Sequence, residues 1–237
     1  ELARAWSGEA LARLGALRRS QAAAVRQAAA LLADGIERGG IVYTFGSGHS
    51  HMAAEEVFVR AGTLACVRAL YPTLALDAVE RVEGVGRELF RRVDLRPEDS
   101  LIVVSQSGVN PLPVEAALEA RARGLATVAI TSFEHSRAVE PRHSSGLRLM
   151  ECVDVALDNG VPAGDALLDV GLPVKVGPLS SLAAILLMQM LLVATTGELL
   201  ARGLTPPVRM SRNLPGGDEY DRLFVERYGD RIPELRL

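Results

Sequence analysis

Cysteine is scarce: the 237-residue chain has two, Cys66 and Cys152, each set among apolar residues in a β-rich run. Buried free thiols fit that setting better than a disulfide or a metal pair. The four histidines, at positions 49, 51, 135 and 143, form no HExxH pattern and there is no CxxC, so no structural zinc or other metal is expected. Lysine is scarcer still. Lys175 stands alone beside 25 arginines, and a net charge of −3 gives no broad attraction for nucleic acid or anionic lipid. Long apolar runs are missing too. The longest, Leu182 to Ala194, covers 13 residues and includes Gln189, against roughly 20 for a bilayer span, and it reads as a buried helix. No basic-then-apolar leader follows Glu1, so the expected setting is the cytoplasm, with no membrane partner. A small molecule is the partner that remains.

What is present reads as one α/β domain. Hydrophobic residues make up 49% and charged residues 23%, a globular balance. From Leu2 to Arg38 the Ala, Leu and Arg pattern predicts one long or two shorter helices, stopped by Gly39-Gly40. Apolar or β-rich runs follow at Ile41–Phe45, Leu64–Leu70, Ser100–Ser105, Ala126–Thr131 and Cys152–Leu157, with helical stretches between several of them, which predicts a parallel sheet. The clearest unit is Leu101–Ser105, a turn, a helix over Pro111–Arg123, Gly124, then Ala126–Ile130: a right-handed βαβ crossover. Ser180–Leu200 predicts a late helix, apolar on most faces, suited to a sheet or subunit interface. The expected organisation is a helical segment over 1–40, the α/β domain over 41–205, and a tail over 206–237 that packs on the domain or on a neighbouring subunit.

Two strand-to-helix turns carry the chemistry. In the first, Gly46-Ser47-Gly48-His49-Ser50, two glycines let a ligand approach the backbone and a hydroxyl can cap a helix or donate to an anion. The second, Ser105-Gln106-Ser107-Gly108-Val109-Asn110, repeats the logic ahead of a helix opened by Pro111 or Pro113. Helix N-termini at the carboxyl ends of parallel strands are ready anion sites. Either turn alone also suits a helix start with no ligand; two in neighbouring units can converge on one dianion. Neither matches GxGxxG or GxxxxGK[ST], so dinucleotide and P-loop nucleotide binding are unsupported and no cofactor is expected.

At these residues the chain resembles the sugar isomerase (SIS) domain family, whose members bind phosphosugars through Gly-x-Gly-x-Ser and Ser-x-Ser-Gly turns. The likeness spans roughly residues 30–200, including Gly124, Thr131-Ser132 and the late helix beginning at Gly177-Pro178-Leu179-Ser180-Ser181. It implies a five-stranded parallel sheet with helices on both faces, an obligate oligomer (homodimer or homotetramer), and phosphosugar contacts from Gly46, Ser47, Gly48, Ser50, Ser105, Gln106, Ser107, Gly108, Asn110 and Ser180. Asp158 to Asp165 and Asn213 to Asp218 look like markers of a branch related to phosphoheptose isomerases. One position departs: phosphoheptose isomerases and muramic acid-phosphate etherases carry a catalytic glutamate ten residues beyond the serine of the first turn, where this chain has Arg60.

The acid-base groups must therefore be sought elsewhere. Glu55 and Glu56 follow Ser50 on the same predicted helix, and one of them could lean into the pocket; alternatively one is solvated and the other pairs with Arg60. His49 and His51 flank Ser50 and could reach a sugar oxygen, His49 first, or could simply cap the turn. His135 and His143 fall in a polar stretch that reads as solvated loop, and Lys175 is a secondary anion candidate. The leading expectation is a cofactor-independent sugar-phosphate (or amino-sugar phosphate) isomerase or a related enediolate or elimination enzyme. Its rival is a phosphosugar-sensing module that kept the cradle and lost the base.

Overall fold

A computed structural model describes residues 1–71 and 74–236. The Ala- and Leu-rich opening forms two helices, α1 (Leu2–Ser20) and α2 (Ala22–Glu37), parted at Gln21. The chain leaves α2 through Gly39 at φ 88°, and the Gly40 N–H returns to the Gly35 carbonyl at 2.9 Å. Gly40 is required there, because a Cβ would overlap the Glu98 carbonyl oxygen.

Strands and helices then alternate: β1 (Val42–Gly46), α3 (His51–Glu55), β2 (Val67–Leu70), α4 (Val85–Arg91), β3 (Ser100–Val104), α5 (Pro111–Ala122), β4 (Ala126–Thr131), α6 (Phe133–Ala138) and β5 (Val155–Asp158). After them come β6 (Ala166–Leu168), β7 (Val176–Pro178), α7 (Ser180–Ala201) and α8 (Gly217–Tyr228). The five-stranded sheet has the order β2-β1-β3-β4-β5, with every pair parallel. All five residues of β1 and of β3 are buried. Parallel strands covered on both faces need unbroken apolar runs rather than alternation, which is why these two were legible. Helices α2 and α7 pack together on one face, and α4 and α5 pair on the other, where Phe90 of α4 meets Phe45 of β1 edge-on at 5.0 Å between ring centroids. In this strand order the connections diverge between β1 and β3, so their carboxyl ends open onto a crevice.

Several boundaries differ from expectation for identifiable reasons. β2 begins at Val67, not Leu64, because Leu64 bridges antiparallel to Val208 and Ala65 N–H donates to the Pro207 carbonyl at 2.6 Å. The tail, described as far as residue 236, thereby packs beside β2. β5 begins at Val155 because Leu149–Glu151 coils into a 3-10 turn. The antiparallel β6–β7 hairpin, three residues per strand, was not foreseen; Trp6 Nε1 of α1 ties it down through the Gly177 carbonyl at 3.0 Å. Helix α7 runs 22 residues, past the apolar run, and with a mean hydropathy of 1.8 is long and apolar enough to cross a membrane by length and composition. Its Ala183, Leu187, Met188, Leu191 and Leu192 are nevertheless buried within the fold. Cys66 and Cys152 are both free and buried, and burial pushes their thiols up to about 12 and about 11.

Candidate functional site

The crevice at the carboxyl ends of β1 and β3 holds a cavity of about 220 Å³. Ser47, Gly48, His49 and Ser50 line it from the first turn, and Ser105, Gln106, Ser107 and Asn110 from the second. The N-terminus of α7 adds Ser180 and Ser181. Gly46 and Gly108 shape the turns without lining the cavity: a Cβ on Gly46 would lie 2.6 Å from the Ser50 backbone, and one on Gly108, at φ 63°, would lie 2.7 Å from Thr131 Oγ1.

The donors in this cavity are partly uncommitted. Ser105, 6% exposed, accepts from the Gly108 N–H at 3.2 Å and keeps its own proton to give. No described residue bonds the Ser50 or Ser107 hydroxyl. The Asn159 side chain accepts from Val161 N–H through Oδ1, so its Nδ2 faces Gln106 and donates to Oε1 at 2.6 Å. That orientation leaves Gln106 Nε2 buried with no partner among the described residues, as His135 Nδ1 also is. Buried donors without partners are costly unless something fills the space before them.

The rest of the cavity lining comes from residues not expected there, among them His135, which lies part-buried on α6 and not in a solvated loop. Asp77 and Glu80 enter from the segment between β2 and α4, Asp165 from the loop before β6, and His135 from α6. Asp165, at φ 69°, caps α7 by accepting from Leu179 N–H (3.0 Å), Ser180 N–H (2.7 Å) and Ser180 Oγ (2.7 Å). Glu80 accepts from Ser47 Oγ at 2.9 Å and from Asn110 Nδ2 at 2.5 Å, and Asn110 in turn accepts from Arg142 Nη1 at 2.6 Å. No lysine or arginine lines the cavity among the described residues. Asp165 ends the marker stretch that begins at Asp158, and nothing local in the sequence distinguishes Glu80.

The other expected acid-base groups are not brought to the cavity. Glu56 pairs with Arg60 at 2.5 Å, Glu55 is half-exposed, and both line a separate shallow surface depression with Met52 and Val59. Helix α3 stops at Glu55 and Val59 turns to φ 49°, so this stretch is directed away from the crevice. The His51 ring is taken up by the Gly48 carbonyl, 2.6 Å from Nδ1, and lies outside the cavity; of the pair only His49 lines it. Lys175 is exposed and apart from the cavity. His143 is no solvated loop residue: it is buried, with Nδ1 accepting from Ser145 N–H at 3.2 Å. Among the described residues no His, Cys, Asp and Glu group could hold a metal ion.

Burial holds the His135 imidazole below its ordinary value, with Asp165 pulling weakly the other way. The unfolded chain then takes up the proton first, so this residue's contribution is full above an unfolded value of about 6.5 and is lost as pH falls through the lower folded value. Urea unfolding at pH 7.5 and pH 5 should show that loss in the wild type and a smaller one in His135→Gln; equal losses would contradict the assignment.

The comparisons with known proteins point the same way. An SIS domain profile matches residues 5–132, starting inside α1. A UPF0309 protein of Caldanaerobacter subterraneus is 37% identical over 235 residues, 94% of this chain and 96% of its own length, and one of Brucella canis is 37% identical over 99% of each chain. In fold the chain is similar to a phosphoheptose isomerase of Neisseria gonorrhoeae (TM-score 0.59, 20% identity, 83% of this chain and 98% of that one). A phosphoheptose isomerase of Francisella tularensis gives a TM-score of 0.57 at 17% identity, over 81% and 95%. With its cavity at the switch point of a five-stranded parallel sheet, the chain belongs to the SIS domain family, among the UPF0309 proteins.

Proposed function

We propose that the protein binds a sugar phosphate in the β1–β3 crevice and interconverts its aldose and ketose forms without a cofactor. One observation carries the reading: uncommitted hydroxyl donors from two separate βα turns, Ser50 and Ser107 with the Ser105 proton, converge on one cavity. A phosphate dianion supplies the acceptors they lack, and first-turn N–H groups add donors of the same sense. The carboxylates and imidazoles lining the same cavity, Glu80, Asp77, His135 and His49, suit sugar hydroxyls and proton transfer between neighbouring carbons. The phosphoheptose isomerases that share the fold support the reaction class.

A thermal-shift series tests this directly. Hexose, heptose and amino-sugar phosphates are compared with their unphosphorylated parents. A ligand at a hundred times its Kd stabilises the native state by about 2.7 kcal/mol, and in a chain of this size each kcal/mol moves Tm by roughly 2–4 °C. A shift that requires the phosphate is expected; no shift with any of them would remove the reading. A ligand that shifts Tm and is never turned over would favour a sensing module instead.

A further inference from the structure

Three carboxylates line the cavity, and their surroundings differ. Asp77 is exposed at the rim. Asp165 is committed to the N-terminus of α7 through three hydrogen bonds. Glu80 is likewise partly buried with a donor on each oxygen, Ser47 Oγ on Oε2 and Asn110 Nδ2 on Oε1, but unlike Asp165 it caps no helix. Those donors belong to the two anion-binding turns themselves, and the Arg142 guanidinium fixes the Asn110 amide from behind. Each carboxylate oxygen keeps a second lone pair, so both bonds can persist while a proton is taken. Ten residues beyond Ser50, past the end of α3, stands Arg60 in place of a glutamate, half-exposed and paired with Glu56.

We infer that Glu80, delivered by the segment between β2 and α4, is the catalytic base of this protein, standing in for a glutamate that the stretch after the first turn does not bring to the cavity. The inference rests on the isomerase reading above. In the step, the Glu80 carboxylate takes the proton from C2 of the open-chain aldose phosphate. The C2–H electron pair becomes the C1=C2 bond, and the C1=O π pair moves to O1. His135, lining the same cavity, relays the O2 proton to O1 as C2=O forms, and the C1=C2 pair recovers the proton from Glu80 at C1. One C–H and one O–H bond break and one of each forms, so no oxidant, reductant or further proton is needed.

The test uses the full chain and whichever sugar phosphate shifts wild-type Tm. Glu80→Gln should lower kcat, and the exchange of the C2 hydrogen with solvent deuterium read by NMR, by about 10²- to 10⁴-fold. The ligand-induced Tm shift should be retained, and Glu56→Gln should keep the wild-type rate. If Glu80→Gln does not fold, Glu80→Asp decides: drawing the carboxylate back by one methylene should lower kcat by about 10²-fold while the ligand-induced Tm shift is kept. A wild-type rate in Glu80→Gln or in Glu80→Asp would overturn Glu80 as base, whereas a wild type that binds the ligand without turning it over would overturn the isomerase reading on which the inference rests. Failure of the wild type to bind any sugar phosphate would instead overturn the functional reading.

Discussion

Replacing Asp99 by alanine is expected to destabilise the fold by about 3–5 kcal/mol, the usual cost of removing one partner from a buried ion pair. Asp99 is 1% exposed and spends both oxygens on four donors. Oδ1 accepts from Ile41 N–H at 2.7 Å and Arg231 Nη1 at 2.9 Å, and Oδ2 from Arg96 N–H at 2.8 Å and Arg231 Nη2 at 2.6 Å. One carboxylate thus ties the entry of β1, the turn before β3 and the C-terminal tail into one knot. The bidentate arginine is the strongest of these bonds, and without Asp99 its charge stays part-buried beside the Asp94 carbonyl (3.0 Å), the Tyr43 hydroxyl (3.3 Å) and, at a longer 3.8 Å, the exposed Asp94 carboxylate. For a chain of this length the loss corresponds to roughly 6–20 °C in Tm. Asp99→Ala with Arg231→Met should recover part of it, because the orphaned charge goes with the arginine. A single variant that melts within about 2 °C of wild type would show that the knot contributes little.

Ser107→Ala and Ser50→Ala should each weaken binding of the phosphorylated ligand by roughly 10- to 100-fold, the equivalent of one lost hydrogen bond to a charged group at 1.5–3 kcal/mol. These two serines are the informative ones because neither hydroxyl bonds a described residue, so its removal leaves the empty protein intact. Ser105→Ala would be harder to interpret, since it also takes away the acceptor of the Gly108 N–H. Titration calorimetry against the sugar phosphate and its unphosphorylated parent separates the cases. The expected result is a loss confined to the phosphorylated ligand with unchanged native Tm. Equal weakening of both ligands would place the serines on the sugar instead, and no weakening would remove them from the site.

The parts of the protein that sequence alone determined are those whose cause is local. β1 and β3 declared themselves because strands buried on both faces are apolar at consecutive positions. The two turns did so because glycines at a strand end and serines or asparagine at a helix start are required by the backbone there, whatever surrounds them: Gly48 at φ 54° and Gly108 at φ 63° hold conformations other residues rarely adopt. Tertiary structure decided the acidic half of the cavity. Glu80 meets Ser47 across 33 residues and Asn110 across 30, and no local pattern records that a turn between β2 and α4 folds over the crevice. Asp165 arrives in the same way from the loop before β6, and His135 from helix α6. The glutamates of α3 show the converse: adjacency in sequence to Ser50 made Glu55 and Glu56 look placed for catalysis, yet the helix ends at Glu55 and both side chains line a surface away from the cavity. Proximity along a chain sets side-chain direction only while the helix continues, whereas proximity in space is set by what the sheet and its helices bury.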